Sequence, residues 1–445
     1  MFIWRRALQW GMAEQLESPS ASIPHWYDGG DLPTIVRGDG SYVYDDAGEE
    51  YLDFMSMLYC ANAGHSHPTV VDRMRDQLER IQYVTPSKHN DARSELASRI
   101  AEIGPDALTD VYFSISGSEA NEAAIQFARE YQDAPKVLTR WQSYHGGTYG
   151  AAALTGDPST RGTVERHAAT TGYGKFLPPL AKAFDGKTGT ALTEAAADHL
   201  EYVLRNEDPD EVAAVLMEPV GGTSGAYPAP EGYFQRVREI CDDHDVLFIS
   251  DEVITGFGRC GEWFGIQTED VQPDMMTFAK AVTSAYAPLA GVATTPEIAE
   301  HFRDGGIEVG QTFGGHPVGC AAGLGAIEAY EGGLVDDVRE LAPYLAQRLH
   351  ELTDHDVVDE VRGRGFHWAV TFADPETGEP FVHPWAEDED NPVAEVREHA
   401  MDDGVILGSG RPDVQVICSP PFTVGEAEID HAVGVLDDAI AATFD

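Results

Sequence analysis

From about residue 105 to 335, short apolar runs alternate with stretches whose apolar positions recur at helical spacing. Residues 111–115, 136–139, 212–217, 246–250, 275–278 and 289–293 read as strands. After the first of these, Ala120, Ala123, Ala124, Phe127, Ala128 and Tyr131 fall on one helical face. Tyr233, Phe234, Val237, Ile240 and Cys241 mark another helix between two later strands. Strand-then-helix alternation implies an α/β fold, with a mostly parallel sheet covered by helices. Strands this apolar are expected to be buried on both faces.

The flanks differ. Residues 42–44 and 51–54, around an Asp45-Asp46-Ala47-Gly48 turn, read as a hairpin, and strands are expected at 366–370 and 414–417. A large domain over 76–335 is therefore expected, with a smaller α+β domain formed by 25–75 and 336–445. Residues 377–393 read as an exposed loop. Residues 1–24 are expected to be a flexible extension, or in part the result of an early start, with Met12 as the native one. No apolar stretch after Arg5-Arg6 is long enough for a signal peptide.

Charge narrows the function. Asp and Glu total 76 against 29 Lys and Arg, a formal net charge of -47. Such a field opposes binding to nucleic acid or an anionic membrane, and no apolar run approaches the ~20 residues of a membrane span. Acid scattered along the chain with scarce lysine points to a salt-rich cytoplasm, the alternative being simply an acidic soluble protein. The five cysteines are widely spaced without a CxxC, which argues for a reducing compartment and against a disulfide framework or a zinc site. No metal ligands are expected. Cys241 and Cys320 fit small core positions.

Against that background Lys280 stands out. The chain has six lysines; five lie in polar or Gly/Pro-flanked stretches, whereas Lys280 ends the apolar run Met275-Met276-Thr277-Phe278-Ala279. The run before it, 246–250, ends in Asp251-Glu252. In a parallel sheet, strand carboxyl ends face the ligand crevice. A lysine in an apolar site has a lowered pKa and forms Schiff bases, the alternative being a surface lysine that snorkels. A carboxylate ending an apolar strand needs a cation, which a protonated pyridine nitrogen supplies as well as a structural ion pair or helix cap does.

Two glycine turns add to this. Ser116-Gly117-Ser118-Glu119 follows a strand and opens a helix, so it is either an anion site at a helix N-terminus or an ordinary N-cap. Tyr144-His145-Gly146-Gly147-Thr148 follows the next strand, and its tyrosine either lies on a planar ligand or packs. A phosphate-cradling turn, a stacking ring, an acid for a ring nitrogen and an amine for an aldehyde are the four contacts that pyridoxal 5′-phosphate requires. A dinucleotide enzyme is disfavoured, because no GxGxxG follows a strand with an acid ~20 residues on.

With these motifs the chain resembles the class III aminotransferases, fold type I pyridoxal phosphate enzymes that include the ω-transaminases. The resemblance runs collinearly from about 25 to 440 through SGSEANEAAI (116–125), YHGGT (144–148), MEPVGG (217–222), ISDEVITGFGRCGEWFG (249–265), PDMMTFAKA (273–281), TFGGHPVGCAAG (312–323) and SPPF (419–422). It implies that Lys280 carries the cofactor, that Asp251 faces the pyridine nitrogen and that Tyr144 stacks on the ring. It implies Gly117 and Ser118 at the phosphate, Val253 beneath the ring and Glu218 near the cofactor hydroxyl. Thr312 is implied to reach the phosphate of a partner subunit, which calls for a homodimer, with a tetramer as a larger alternative, and a shared site.

Tyr59 falls where ω-transaminases place an aromatic in the substrate pocket. Arg411 lies close to the position of a substrate-carboxylate arginine but in a shifted register, so a surface arginine is the alternative. The chain departs from the usual pattern at Ala281, at Ala285-Tyr286-Ala287-Pro288 and at Thr223, where the ornithine and 4-aminobutyrate branch has a glutamate. The activity implied is ping-pong amino transfer from an amine or amino acid to pyruvate or 2-oxoglutarate. A decarboxylase or aminomutase on the same fold, or a catalytically silent cofactor-binding protein, is the alternative.

Overall fold

The computed structural model describes residues 33–444, apart from 169–170, 304, 308–309 and 386–389. The expected extension at 1–24 and the question of Met12 lie outside the described residues. Near the N-terminus, β1 (Ile35–Asp39), β2 (Tyr42–Asp45) and β3 (Glu50–Asp53) form an antiparallel meander. The expected hairpin is β2–β3; β1 was not legible because its Ile-Val-Arg-Gly-Asp is largely exposed and has no apolar alternation.

Seven strands build the central sheet: β4 (Asp110–Ser114), β5 (Lys136–Arg140), β6 (Tyr173–Phe176), β7 (Val212–Met217), β8 (Leu247–Asp251), β9 (Met275–Phe278) and β10 (Ala290–Thr294). Their order is β4-β10-β9-β8-β7-β5-β6, and β10 alone runs antiparallel to its two neighbours. The expected strands fall within one or two residues of these. β6 was missed because Tyr-Gly-Lys-Phe at the sheet edge carries no apolar run.

Alternation along each strand fills both faces. Val215, Met217 and Phe248 pack with Leu192, Leu200, Tyr233 and Val237 from helices Gly189–Asn206 and Tyr233–Asp243. Ala214, Leu216 and Ile249 face the other way, onto Ala120, Ala124 and Phe127 of helix Gly117–Gln132. Cys241 and Cys320 are both fully buried.

The C-terminal part adds β11 (Val358–Arg364), β12 (His367–Phe372), β13 (Val405–Ile406), β14 (Gly408–Ser409) and β15 (Gln415–Cys418). Four of these form an antiparallel sheet in the order β11-β12-β15-β14. β13 instead joins the N-terminal meander, parallel to β3 through Val405↔Leu52 and Ile406↔Asp53. That pairing brings the first strands and a late one into a single sheet.

Candidate active site

A cavity of about 960 Å³ opens over the carboxyl edge of the central sheet. Five of the six strands that run the same way each deliver a polar group: Ser116 to Ser118 after β4, Tyr144 after β5, Glu218 after β7, Asp251 at the end of β8 and Lys280 after β9. Strand ends are where backbone groups leave the ladder and side chains can converge without breaking the sheet. The far wall comes from the smaller sheets through Tyr59 and Arg411.

Asp251 lies at the floor and is 2% exposed. Its Oδ2 accepts from His145 Nδ1 at 2.7 Å and from Asn121 Nδ2 at 3.0 Å, and its Oδ1 accepts from Val253 N at 3.1 Å. Those bonds fix the orientation of the carboxyl group. Its neighbour Glu252 is turned away and fully buried, where it accepts from the backbone N–H groups of Gly265 and Ile266, each at 2.8 Å. The acid pair thus divides into one cavity group and one structural group.

Lys280 follows β9, the immediate neighbour of β8, and sits in the left-handed region with φ +47°. A non-glycine residue held there costs energy that the surrounding packing must offset, and such strain concentrates at functional sites. The side chain is half-buried, and burial pushes its amine below the ordinary lysine value, against the opposing pull of Cys60, Asp251 and Glu218. Among the described residues no carboxylate comes within ion-pair distance of the amine; Tyr59 presents its ring 5.6 Å away. A lysine without a counter-ion, aimed into a cavity, is available to an aldehyde.

At the turn after β4, Ser116 is the N-cap of helix Gly117–Gln132 and accepts from Glu119 N at 3.2 Å. The N-cap reading therefore holds for Ser116, while Gly117 and Ser118 line the cavity. A Cβ on Gly117 would come 3.1 Å from Val253 Cγ1, so the absence of a side chain keeps the space between helix end and Val253 open. Ser118 Oγ accepts from Gly147 N at 3.1 Å and ties this turn to the Tyr144 loop. Free amides at a helix N-terminus, a hydroxyl and an open floor suit a phosphate.

Glu218 is buried, and its Oε1 accepts from Gly222 N at 3.1 Å. Burial raises its pKa, against the pull of His145 and Arg140; Arg140 Nη2 stands 3.6 Å from Oε2 and donates to the Glu218 carbonyl at 2.7 Å. Tyr144 lines the cavity beside Arg411, whose guanidinium carbon is 5.5 Å from the tyrosine ring centroid. Arg411 Nη1 donates to Asp157 Oδ2 at 2.9 Å and to Thr160 Oγ1 at 2.8 Å. Burial alone would raise the Asp157 carboxyl, but hydrogen bonds from Ser159, Thr160 and Arg411 outweigh it and hold it below the usual carboxylate value.

Thr312 is exposed and does not line this cavity; its carbonyl accepts from the Tyr83 hydroxyl at 2.9 Å. Four residues of this region carried no role in the sequence reading: Asn121, His145, Asp157 and Cys60. The first two stand inside the glycine-turn motifs, so the signal was present. Asp157 and Cys60 had none.

A sequence profile described as "Aminotransferase class-III" matches residues 27–440. The chain is 35% identical to a probable aminotransferase of Mycobacterium tuberculosis, over 92% of this chain and 90% of that protein. It is 34% identical to the putrescine–pyruvate aminotransferase of Pseudomonas aeruginosa, over 92% and 91%. Among solved structures, taurine:2-oxoglutarate aminotransferase of Bifidobacterium kashiwanohense, in complex with pyridoxal phosphate and glutamate, superposes with a TM-score of 0.89 at 33% identity, over 94% of this chain and 95% of that one. The chain belongs to the class III aminotransferases, fold type I enzymes that use pyridoxal 5′-phosphate to move an amino group from a donor to a keto acid.

Proposed function

We propose that Lys280 is the residue that binds the cofactor aldehyde and carries the proton between the substrate carbon and the cofactor. The reading rests on one observation above others: an amine without a counter-ion and a sealed carboxylate on adjacent strands, facing one cavity. The cofactor, when bound, supplies an electron sink for the carbanion that forms at the substrate carbon. Asp251 would meet the ring nitrogen and favour its protonated form, and His145 and Asn121 hold the Asp251 carboxyl in place. Gly117 and Ser118 would hold the phosphate, with Tyr144 and Val253 against the ring and Glu218 near its hydroxyl; all five line the cavity. Burial lowers the Lys280 amine below the ordinary lysine value, which favours the free base that accepts a proton.

The acceptor in this proposal is pyruvate or 2-oxoglutarate, with Arg411 as the group that meets its carboxylate and Tyr59 as a wall of the substrate pocket. Two copies of the chain form the working unit, each offering Thr312 to the other's phosphate. The exposed rings of Tyr83 and Phe313, 6.0 Å apart beside Thr312, give that contact an apolar centre. We place the large domain at 76–335 and the enzyme in a salt-rich cytoplasm, on the strength of its net charge of -47. Among the described residues no helix is long and apolar enough to cross a membrane.

A panel of amines and amino acids assayed against pyruvate and 2-oxoglutarate in molar KCl tests this reading. Wild-type protein is expected to show keto-acid-dependent turnover that Lys280→Ala abolishes. Multiple turnovers by Lys280→Ala would remove the assignment of Lys280.

A further inference from the structure

Four consecutive non-glycine residues, Ser56, Met57, Leu58 and Tyr59, have φ of +50°, +44°, +75° and +64°. The backbone N–H of Tyr59 donates to Met55 O and that of Cys60 to Ser56 O, each at 2.9 Å, so the segment is one complete left-handed turn. L-residues visit this region singly, because the Cβ crowds the following carbonyl. Local hydrogen bonds do not account for four in a row; neighbouring elements must hold them there.

Those neighbours are identifiable. The Asp53 carboxylate accepts from Met57 N at 3.0 Å and Met55 N at 3.3 Å through Oδ1, while its Oδ2 meets His65 Nε2 at 3.0 Å. Ser56 Oγ donates to Ser419 O at 2.7 Å and accepts from Arg259 Nη2 at 3.1 Å. Arg259, fully buried, also donates to Asn62 Oδ1, Phe366 O and Pro420 O. One guanidinium thus ties the turn to the central domain's β8–β9 loop and to the C-terminal sheet. Leu58, Tyr59 and Cys60, which the turn presents, all line the cavity, and the Tyr59 ring faces the Lys280 amine.

We infer that the left-handed turn 56–59 is a strained element held by Asp53 and Arg259 as positioning residues, and that their hold sets where the donor-side wall of the cavity stands. Its bearing on catalysis rests on the proposed role of Lys280, but its geometry does not. Cys60 supplies an independent readout, because it is partly exposed in the cavity while Cys241, Cys260, Cys320 and Cys418 are buried.

The experiment compares two variants with wild-type holoenzyme. Met57, which does not line the cavity, is changed to glycine, a residue that enters this region without a Cβ penalty. Ser56→Ala removes the hydroxyl shared by Arg259 and Ser419. Met57→Gly is expected to raise Tm, by about 2 °C, with the rate of Cys60 alkylation by iodoacetamide and the kcat/KM ratio of a bulky to a small donor unchanged. Ser56→Ala is expected to speed Cys60 alkylation severalfold and to shift that donor ratio through KM more than kcat. A fall in Tm for Met57→Gly overturns the strain; an unchanged alkylation rate in Ser56→Ala overturns the clamp. Because alkylation does not depend on turnover, it is read even if Lys280 proves not to be the cofactor residue.

Discussion

His145 Nδ1 and Asp251 Oδ2 stand 2.7 Å apart with both side chains sealed from solvent. The contact fixes the proton on Nδ1 whenever the imidazole is neutral, because the ionised carboxylate can only accept. His145 is in turn the largest favourable influence on the charge of buried Glu218. One histidine therefore orients the Asp251 carboxyl and opposes the effect of burial on Glu218.

Asp251→Asn removes that charge while keeping the shape. We expect weaker retention of pyridoxal phosphate and a half-reaction with the amino donor slowed by about 10²–10³-fold, the usual scale for losing one preorganised electrostatic group. Rapid-mixing measurement of the single turnover gives the answer. A wild-type rate would leave Asp251 with a packing role only.

Lys280 also links cofactor-free stability to pH. Its folded pKa is depressed, chiefly by burial, so between that value and the ordinary 10.5 the unfolded chain binds more protons than the folded one. Stability contributed by this site therefore rises with pH across the window and is lost as pH falls from 10.5 to the folded value. Lys280→Met is expected to raise the Tm of cofactor-free protein at neutral pH by roughly 2 °C, and the gain should vanish above pH 10.5. Equal gains at both pH values would contradict a depressed Lys280 amine.

Arg411 is engaged by Asp157 and Thr160, so a substrate carboxylate bound there as proposed would share or displace those partners. Arg411→Gln is expected to raise KM for the keto acid by about 10- to 100-fold, in line with one charge-assisted hydrogen bond of roughly 1.5–3 kcal/mol, with kcat changed less. Steady-state kinetics with pyruvate and with a neutral aldehyde acceptor separate the effects. If KM for both moves together, Arg411 serves to tether helix Pro158–Glu165.

Salt should act on the whole molecule. With a net charge of -47, self-repulsion extends over ~30 Å at 0.01 M ionic strength and only ~3 Å at 1 M. Thermal melts are expected to show a higher Tm in molar KCl than in dilute buffer. Identical curves would remove the salt-rich setting from the proposal.

Strand β8 was legible because its apolar run breaks at Asp251, and β9 because its run breaks at Lys280. In a parallel sheet, the residues just beyond the carboxyl end of a buried strand emerge at the ligand edge. That single regularity located the acid, the amine and the two glycine turns from the linear order alone. The weak edge strands β1 and β6 escaped because they bury too little for a pattern to form. Only the tertiary structure decided the rest. Arg411 meets Asp157 across 254 positions and Arg259 meets Ser56 across 203. The left-handed turn 56–59 is held by elements distant in sequence, against the intrinsic preference of each of its residues. Burial patterns are written locally, in the spacing of apolar side chains. A strained backbone or a shared guanidinium exists only once distant segments are packed together, so no reading of neighbouring residues could have supplied it.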